Sequence, residues 1–167
     1  MSHHKLALRP AISADADAVK ALTCRVFEKY IEQIGRIPRP MLADYELVIA
    51  NEHVWVVEEN NQLVAVLVLA IRENHYHINS IAVRPDKQRQ GLGKALLSHA
   101  EDQSIQAGYC EIWLHTNETM THNIRLYTSV GYKEMYRQTK QGTDSLYMKK
   151  ELGGHLPRPI PQDDCRK

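Results

Sequence analysis

The residues best suited to chemistry form one run, Gln88-Arg89-Gln90-Gly91-Leu92-Gly93, with Lys94 behind it. The first turn of a helix carries backbone N–H groups with no partner inside the helix. Ser, Thr, Asp or Asn usually fills them, and none of these stands between positions 88 and 93. Two glycines keep the backbone bare where a bulky anion must approach, while Arg89 and Lys94 add positive charge. A phosphate would satisfy the open amides and the helix dipole together. Each hydrogen bond to such a charged group is worth roughly 1.5–3 kcal/mol, so several could hold a pyrophosphate. The run is not a Walker loop. Nor is it the Gly-x-Gly-x-x-Gly turn of dinucleotide folds, because position 96 is Leu.

A strand must deliver this loop and a helix must follow it. His75 to Val83 has apolar residues on both parities, Ile81 and Val83 on one, Ile78 and Ala82 on the other, as in a central strand covered on both faces. Past Gly91 the period becomes helical: Leu92, Ala95, Leu96 and Ala100 make a stripe, and Gly108 closes it. Upstream, Leu6 to Arg9 predicts a short strand ended by Pro10. Ser13 predicts a helix cap, and Val19, Leu22, Val26, Tyr30 and Ile34 a helix that Gly35 stops. Arg36 to Pro40 is a stiff connector, and Met41 to Asn51 a second helix. Val54 to Val57 and Leu63 to Ile71 predict a hairpin; Glu111 to His115 is a further strand, and Ile124, Tyr127 and Val130 mark a short helix ended by Gly131. Tyr132 to Thr139 and Leu146 to Glu151 form a last hairpin around Gln141-Gly142. The order β-α-α-β-β-β-α-β-α-β-β implies a mixed α/β (α+β) sheet with helices on both faces.

The 167 residues fit one domain, expected over 1–152, with a Gly- and Pro-bearing tail at 153–167 expected to be flexible. A net charge of +1 disfavours a nucleic-acid surface, so any anion site must be local. The longest apolar run, Leu63 to Ile71, is too short to span a bilayer, and no signal peptide is visible at Met1. Cys24, Cys110 and Cys165 form no CxxC pair, which argues against a zinc site and suits a reducing cytoplasm.

Gln88-x-x-Gly91-x-Gly93, following the strand Ser80 to Pro85, resembles the acetyl-CoA-binding motif of the GNAT superfamily of N-acetyltransferases. The likeness extends through Leu126-Tyr127-x-x-x-Gly131-Tyr132 and the element order over roughly residues 5–152. It implies a central mixed sheet of about seven strands and acetyl-CoA as co-substrate. It further implies acetyl transfer to an amine, small molecule or protein, by direct attack on the thioester. The backbone amides of Gln88, Arg89, Gln90, Gly91, Leu92, Gly93 and Lys94 would bind the pyrophosphate. The strand Ile81, Ala82 and Val83 would pair through its backbone with the pantetheine arm, in a gap where it splays from the strand Glu111 to His115. Tyr127 would protonate the leaving thiolate. Met120 stands where many members carry Asn, so Asn117 or Asn123 is expected to substitute as a coenzyme contact.

Amine acetylation needs a neutral nitrogen, and a lysine-like amine is only about one part in a few thousand neutral at pH 7. Candidate bases are His77 and His115, placed by parity with Asn79 and Trp113, and the helix pair Glu28 and Glu32. Asn79 itself cannot serve directly. Tyr30, Arg36, Arg39, Asp44 and Tyr45 surround the connector as an expected substrate wall, the arginines hinting at an acidic acceptor. Competing readings are a non-catalytic acyl-CoA-binding module or sensor and a binder of another diphosphate. A homodimer through the last hairpin is compatible with the pattern.

Overall fold

The computed structural model describes residues 7–153. Leu6 and the part of the expected tail beyond Gly153 lie outside the described residues. Strand β1 (Leu8–Pro10) leads into a 3-10 turn and helix α1 (Ala16–Phe27). Ser13 does not cap this segment. Asp15 accepts from the Ile12 amide at 2.8 Å and pairs with Arg9 at 2.7 Å, and this charge-assisted arrangement outcompetes a hydroxyl. The helical path continues through α2 (Ile31–Ile34) and stops at Gly35, whose φ of 75° lies in the left-handed region. The expected helix from Met41 to Asn51 is two pieces, α3 (Arg39–Leu42) and α4 (Tyr45–Asn51). They divide because Asp44 caps the second, its carboxylate accepting from the amides of Glu46 and Leu47.

Strands β2 (His53–Glu59), β3 (Gln62–Arg72) and β4 (His75–Val83) then form an antiparallel meander. The β2–β3 turn holds Asn60 and Asn61 at φ 50° and 58°, the mirror-image turn that matches strand twist. Helix α5 (Leu92–Gln106) crosses over to β5 (Glu111–Asn117), which lies parallel to β4. Helix α6 (Thr121–Ser129) precedes β6 (Lys133–Lys140) and β7 (Thr143–Glu151), which turn at Gln141-Gly142. The seven strands order β1-β2-β3-β4-β5-β7-β6, and β6 is an edge.

One core lies between the sheet and α1, built from Val19, Leu22, Val26, Val56, Val66 and Ala82. The other lies under α5, around Leu96, Leu97, Leu67, Ile112 and Leu114. Each apolar stripe removes its helix face from water, the main favourable term in folding. Leu97 belongs to the α5 stripe although the sequence reading passed over it. Among the described residues no helix is long and apolar enough to cross a membrane.

The parity of β4 needs correction. Val68 pairs with Ser80 but Leu69 with Ile78, so Asn79 is an extra residue in a β-bulge. The bulge flips the alternation. Ile78, Ile81 and Val83 all pack on the α5 side, and His77 faces the α1 side with no shared face with Ile81.

Candidate active site

Strands β4 and β5 pair only over Tyr76↔Ile112, His77↔Trp113 and Ile78↔Leu114. Beyond the bulge they part, which opens the middle of the sheet. The Arg84 amide donates to the Val64 carbonyl at 2.8 Å, so by alternation the even-numbered residues after the bulge aim their backbone groups at β3. The backbone groups of Ile81 and Val83 therefore face the gap. Consistent with this, the Val83 carbonyl accepts from Gln88 Nε2 at 2.9 Å. Ala82, expected beside them at the coenzyme, is committed elsewhere: it pairs with Val66 in β3, and its side chain is fully buried in the α1-side core.

The loop at the end of β4 is built around left-handed backbone. Arg89 has φ 61° and Gly91 φ 86°. Gly91 is glycine for that angle, since an added Cβ would meet nothing within 4 Å, whereas one on Gly93 would meet Leu126 Cδ2 at 3.4 Å. Gly91 precedes the first turn of α5 without a side-chain cap and with no acidic residue behind it. The first amides of α5 are thus open, as is usual where an anion docks. Gln90 Nε2 donates to the Asp86 carbonyl at 3.0 Å, so side chains of the loop hold its own backbone. Arg89 and Lys94 are exposed, and neither forms an ion pair among the described residues.

A cleft of about 380 Å³ adjoins the gap. Its wall combines Phe27, Tyr45 and Val48, which pack on the α1-side core, with Tyr127 of α6, which packs on the α5-side core. The cleft therefore passes through the opened sheet from one face to the other. Asn123 and Tyr127 lie one helical turn apart and both line it. Burial, with Tyr30 nearby, pushes the Tyr127 phenol up to about 12, so it holds its proton at neutral pH. Asn117 also lines the cleft, but its Oδ1 accepts from the Thr119 amide at 2.9 Å and hydroxyl at 2.6 Å, which shapes the turn into α6.

The connector roofs this space. Gln33 Nε2 donates to the Thr119 carbonyl, and Arg36 to the Gln141 carbonyl and the Thr143 hydroxyl. Tyr45 donates to the Pro40 carbonyl at 3.0 Å. Arg36, Arg39 and Tyr45 line the cleft, whereas Asp44 is spent on its cap and Tyr30 packs near Phe27. Glu28 and Glu32 are exposed and lie outside the cleft wall.

The two strand histidines meet. His77 Nε2 and His115 Nδ1 are 2.7 Å apart. Burial, then the charges of His115 and His75, hold His77 down to about 3. Burial, then the Arg39 and Arg72 guanidiniums, lower His115 as well. Both rings are neutral at pH 7. His115 lines the cleft, and its Nδ1 is tied to His77, so Nε2 is the nitrogen left for a ligand. A second cavity of about 660 Å³ lies alongside, walled by His75, His77, Trp113, Tyr136 and Tyr147 and sharing His115 with the first. Glu52 was not anticipated. It lines the cleft and accepts from Asn79 Nδ2 at 2.8 Å. Twenty-seven residues separate the pair in sequence, and Asn79 is the extra residue of the bulge.

A family model described as the acetyltransferase (GNAT) family matches residues 19–132. A ribosomal protein bS18 alanine N-acetyltransferase of Escherichia coli K12 is 36% identical over 76 residues, 46% of this chain and 51% of that protein. The chain thus matches about half the length of that relative. An aminoalkylphosphonate N-acetyltransferase of Salmonella typhimurium LT2 is 29% identical over 140 residues, 80% of this chain and 89% of that one. In fold, the chain resembles the PaiA N-acetyltransferase of Thermoplasma acidophilum, solved in complex with coenzyme A. That comparison has a TM-score of 0.70 and 18% identity, and covers 91% of this chain and all of the other.

Proposed function

The chain belongs to the GNAT family of acetyltransferases, and from that premise we propose that it transfers an acetyl group from acetyl-CoA to the amine of an acceptor. The observation that carries this is the coincidence of two open features at one place: uncapped amides at the start of α5, and an unpaired backbone edge on β4 beside it. The amides of Gln88 to Lys94 hold the pyrophosphate, and the edge at Ile81 and Val83 holds the pantetheine arm like an added strand. Bound acetyl-CoA supplies an acetyl group activated as a thioester. Tyr127, protonated at neutral pH, gives its proton to the departing sulfur. His115 Nε2 takes a proton from the acceptor nitrogen, and His77 orients the ring. Asn123, on the face of α6 that carries Tyr127, is the second polar contact to the coenzyme, and Asn117 contributes through the turn it shapes.

Two relatives support an amine acceptor, one named for the alanine of a ribosomal protein and one for aminoalkylphosphonates. The proposed catalytic unit is residues 1–152, with 153–167 as an appendage. The free thiols of Cys24 and Cys110 suit the cytoplasm, and the exposed edge of β6 suits pairing with a second copy.

The test is calorimetric titration of the purified chain with acetyl-CoA, ATP and NAD, followed by a coenzyme A release assay across amine classes. Tight binding of acetyl-CoA alone, with amine-dependent release, is expected. Tight binding without release from any amine would leave a sensor in place of an enzyme.

A further inference from the structure

The cleft carries charge of both signs, kept apart. Arg36, Arg39, Arg72 and Lys140 line it, and among the described residues the single carboxylate in its wall is Glu52. None of these cations forms an ion pair with Glu52, whose carboxylate is instead held by Asn79 at the bulge. Unpaired charges that share a cavity and do not collapse onto each other leave a negative pole and a positive pole for a ligand to bridge. The negative pole sits at Asn79, where β4 leaves β5 and the gap opens. The positive pole is at the rim: Arg39 and Arg72 are exposed, Arg39 makes only one long bond, 3.5 Å, to Gln141 Oε1, and Arg36 is already occupied by two bonds to the β6–β7 turn. Both rim guanidiniums act on His115 through space and lower its basicity, so they belong to the same electrostatic surroundings as the imidazole.

Building on the acetyl-transfer reading, we infer that the acceptor is a small dipolar amine, an amino acid or aminoalkylphosphonate, whose ammonium seats on Glu52 and whose acid group is gripped by Arg39 and Arg72. A guanidinium presents two parallel N–H donors that match a carboxylate or phosphonate, a geometry an amide or alkyl group cannot use. The ammonium end lies beside the gap and His115, so deprotonation occurs next to the thioester slot. The acid end points to the rim, which keeps its charge partly in water and avoids the cost of full burial.

Matched pairs of amines test this on the full chain loaded with coenzyme A: amino acids against their amides, and aminoalkylphosphonates against alkylamines of equal length. Binding is read by calorimetry on that complex, and transfer by coenzyme A release when acetyl-CoA is supplied in place of coenzyme A. At least one pair should favour the acid member by roughly tenfold or more, the worth of one charge-assisted contact. Arg39→Gln with Arg72→Gln should erase that preference while leaving KM for acetyl-CoA unmoved, and Glu52→Gln should weaken both members of a pair alike. Circular dichroism checks that each variant is folded. The inference is overturned if no pair favours the acid member, or if the preference survives the double arginine replacement. Selective binding of the acid member without coenzyme A release supports this inference and sinks acetyl transfer instead.

Discussion

Two rings, His77 buried and Tyr127 partly so, make opposite demands on protons. Tyr127 is pushed up to about 12 and keeps its proton, while His77 is held down to about 3 and refuses one. For Tyr127, replacement by Phe removes the proposed acid and little volume. Turnover should fall by roughly 100-fold, within the range for a positioned general acid, with acetyl-CoA affinity by calorimetry nearly unchanged. An unaltered kcat would remove the role. For His77 the consequence is one of stability. Its ordinary value is 6.5, so between that pH and about 3 the unfolded chain binds a proton that the folded chain does not. Stability is therefore full above pH 6.5 and is lost as the pH falls toward about 3. Urea midpoints from pH 4 to 7 should show His77→Gln with a flatter slope than the parent, by up to about 1.4 kcal/mol per pH unit. The charges that face His77, namely His75, His115 and Arg72, all oppose its protonation, so they act in the same direction.

At the scale of elements, the glycine loop separates two reasons for being glycine. Gly91 sits at φ 86° with open space around it, and Gly93 has ordinary helical backbone beside Leu126. Gly91→Ala should cost about 1–2 kcal/mol in urea unfolding, the penalty for a side chain in left-handed backbone. Gly93→Ala should be neutral or stabilising by up to about 1 kcal/mol, since alanine is the better helix former. Equal losses at both positions would contradict this assignment. Legibility follows the same divide. The strands, the α5 start and the Gln141-Gly142 turn were readable because local periodicity and turn chemistry dictate them. The bulge at Asn79 was not. Alternation assumes two residues per repeat, and one extra residue reverses every face beyond it. That single step misplaced His77 relative to Ile81. Glu52 was hidden by distance along the chain, since its link to Asn79 joins the end of α4 to the middle of β4. The meeting of His77 with His115 was equally hidden, because parity gives a face but not the pairing of one strand with another.

At the scale of the whole molecule, two cores grip one sheet from opposite sides, and the sheet is weakest where β4 and β5 part. Leu96, fully buried beneath α5, tests how far the helix side holds that region. Leu96→Ala should cost roughly 2–5 kcal/mol, visible as a lowered urea midpoint. A change below about 1 kcal/mol would mean that α5 is not part of the cooperative unit.

The gap itself has a meaning beyond access. An exposed strand edge inside a protein is a place where the sheet is unfinished, and under the proposed acetyl transfer the strand that completes it is acetyl-CoA. At about 100 times its Kd, a ligand of this kind adds about 2.7 kcal/mol of stability, which in a chain of this size raises the thermal midpoint by roughly 5–10 °C. Melting curves over a series of acetyl-CoA concentrations should climb accordingly, and a flat series would mean that the edge is not where the coenzyme lies. On that proposal the lifetime of this fold would be indexed to acyl-donor supply: slack and open to proteases in scarcity, stitched shut by its own substrate in plenty.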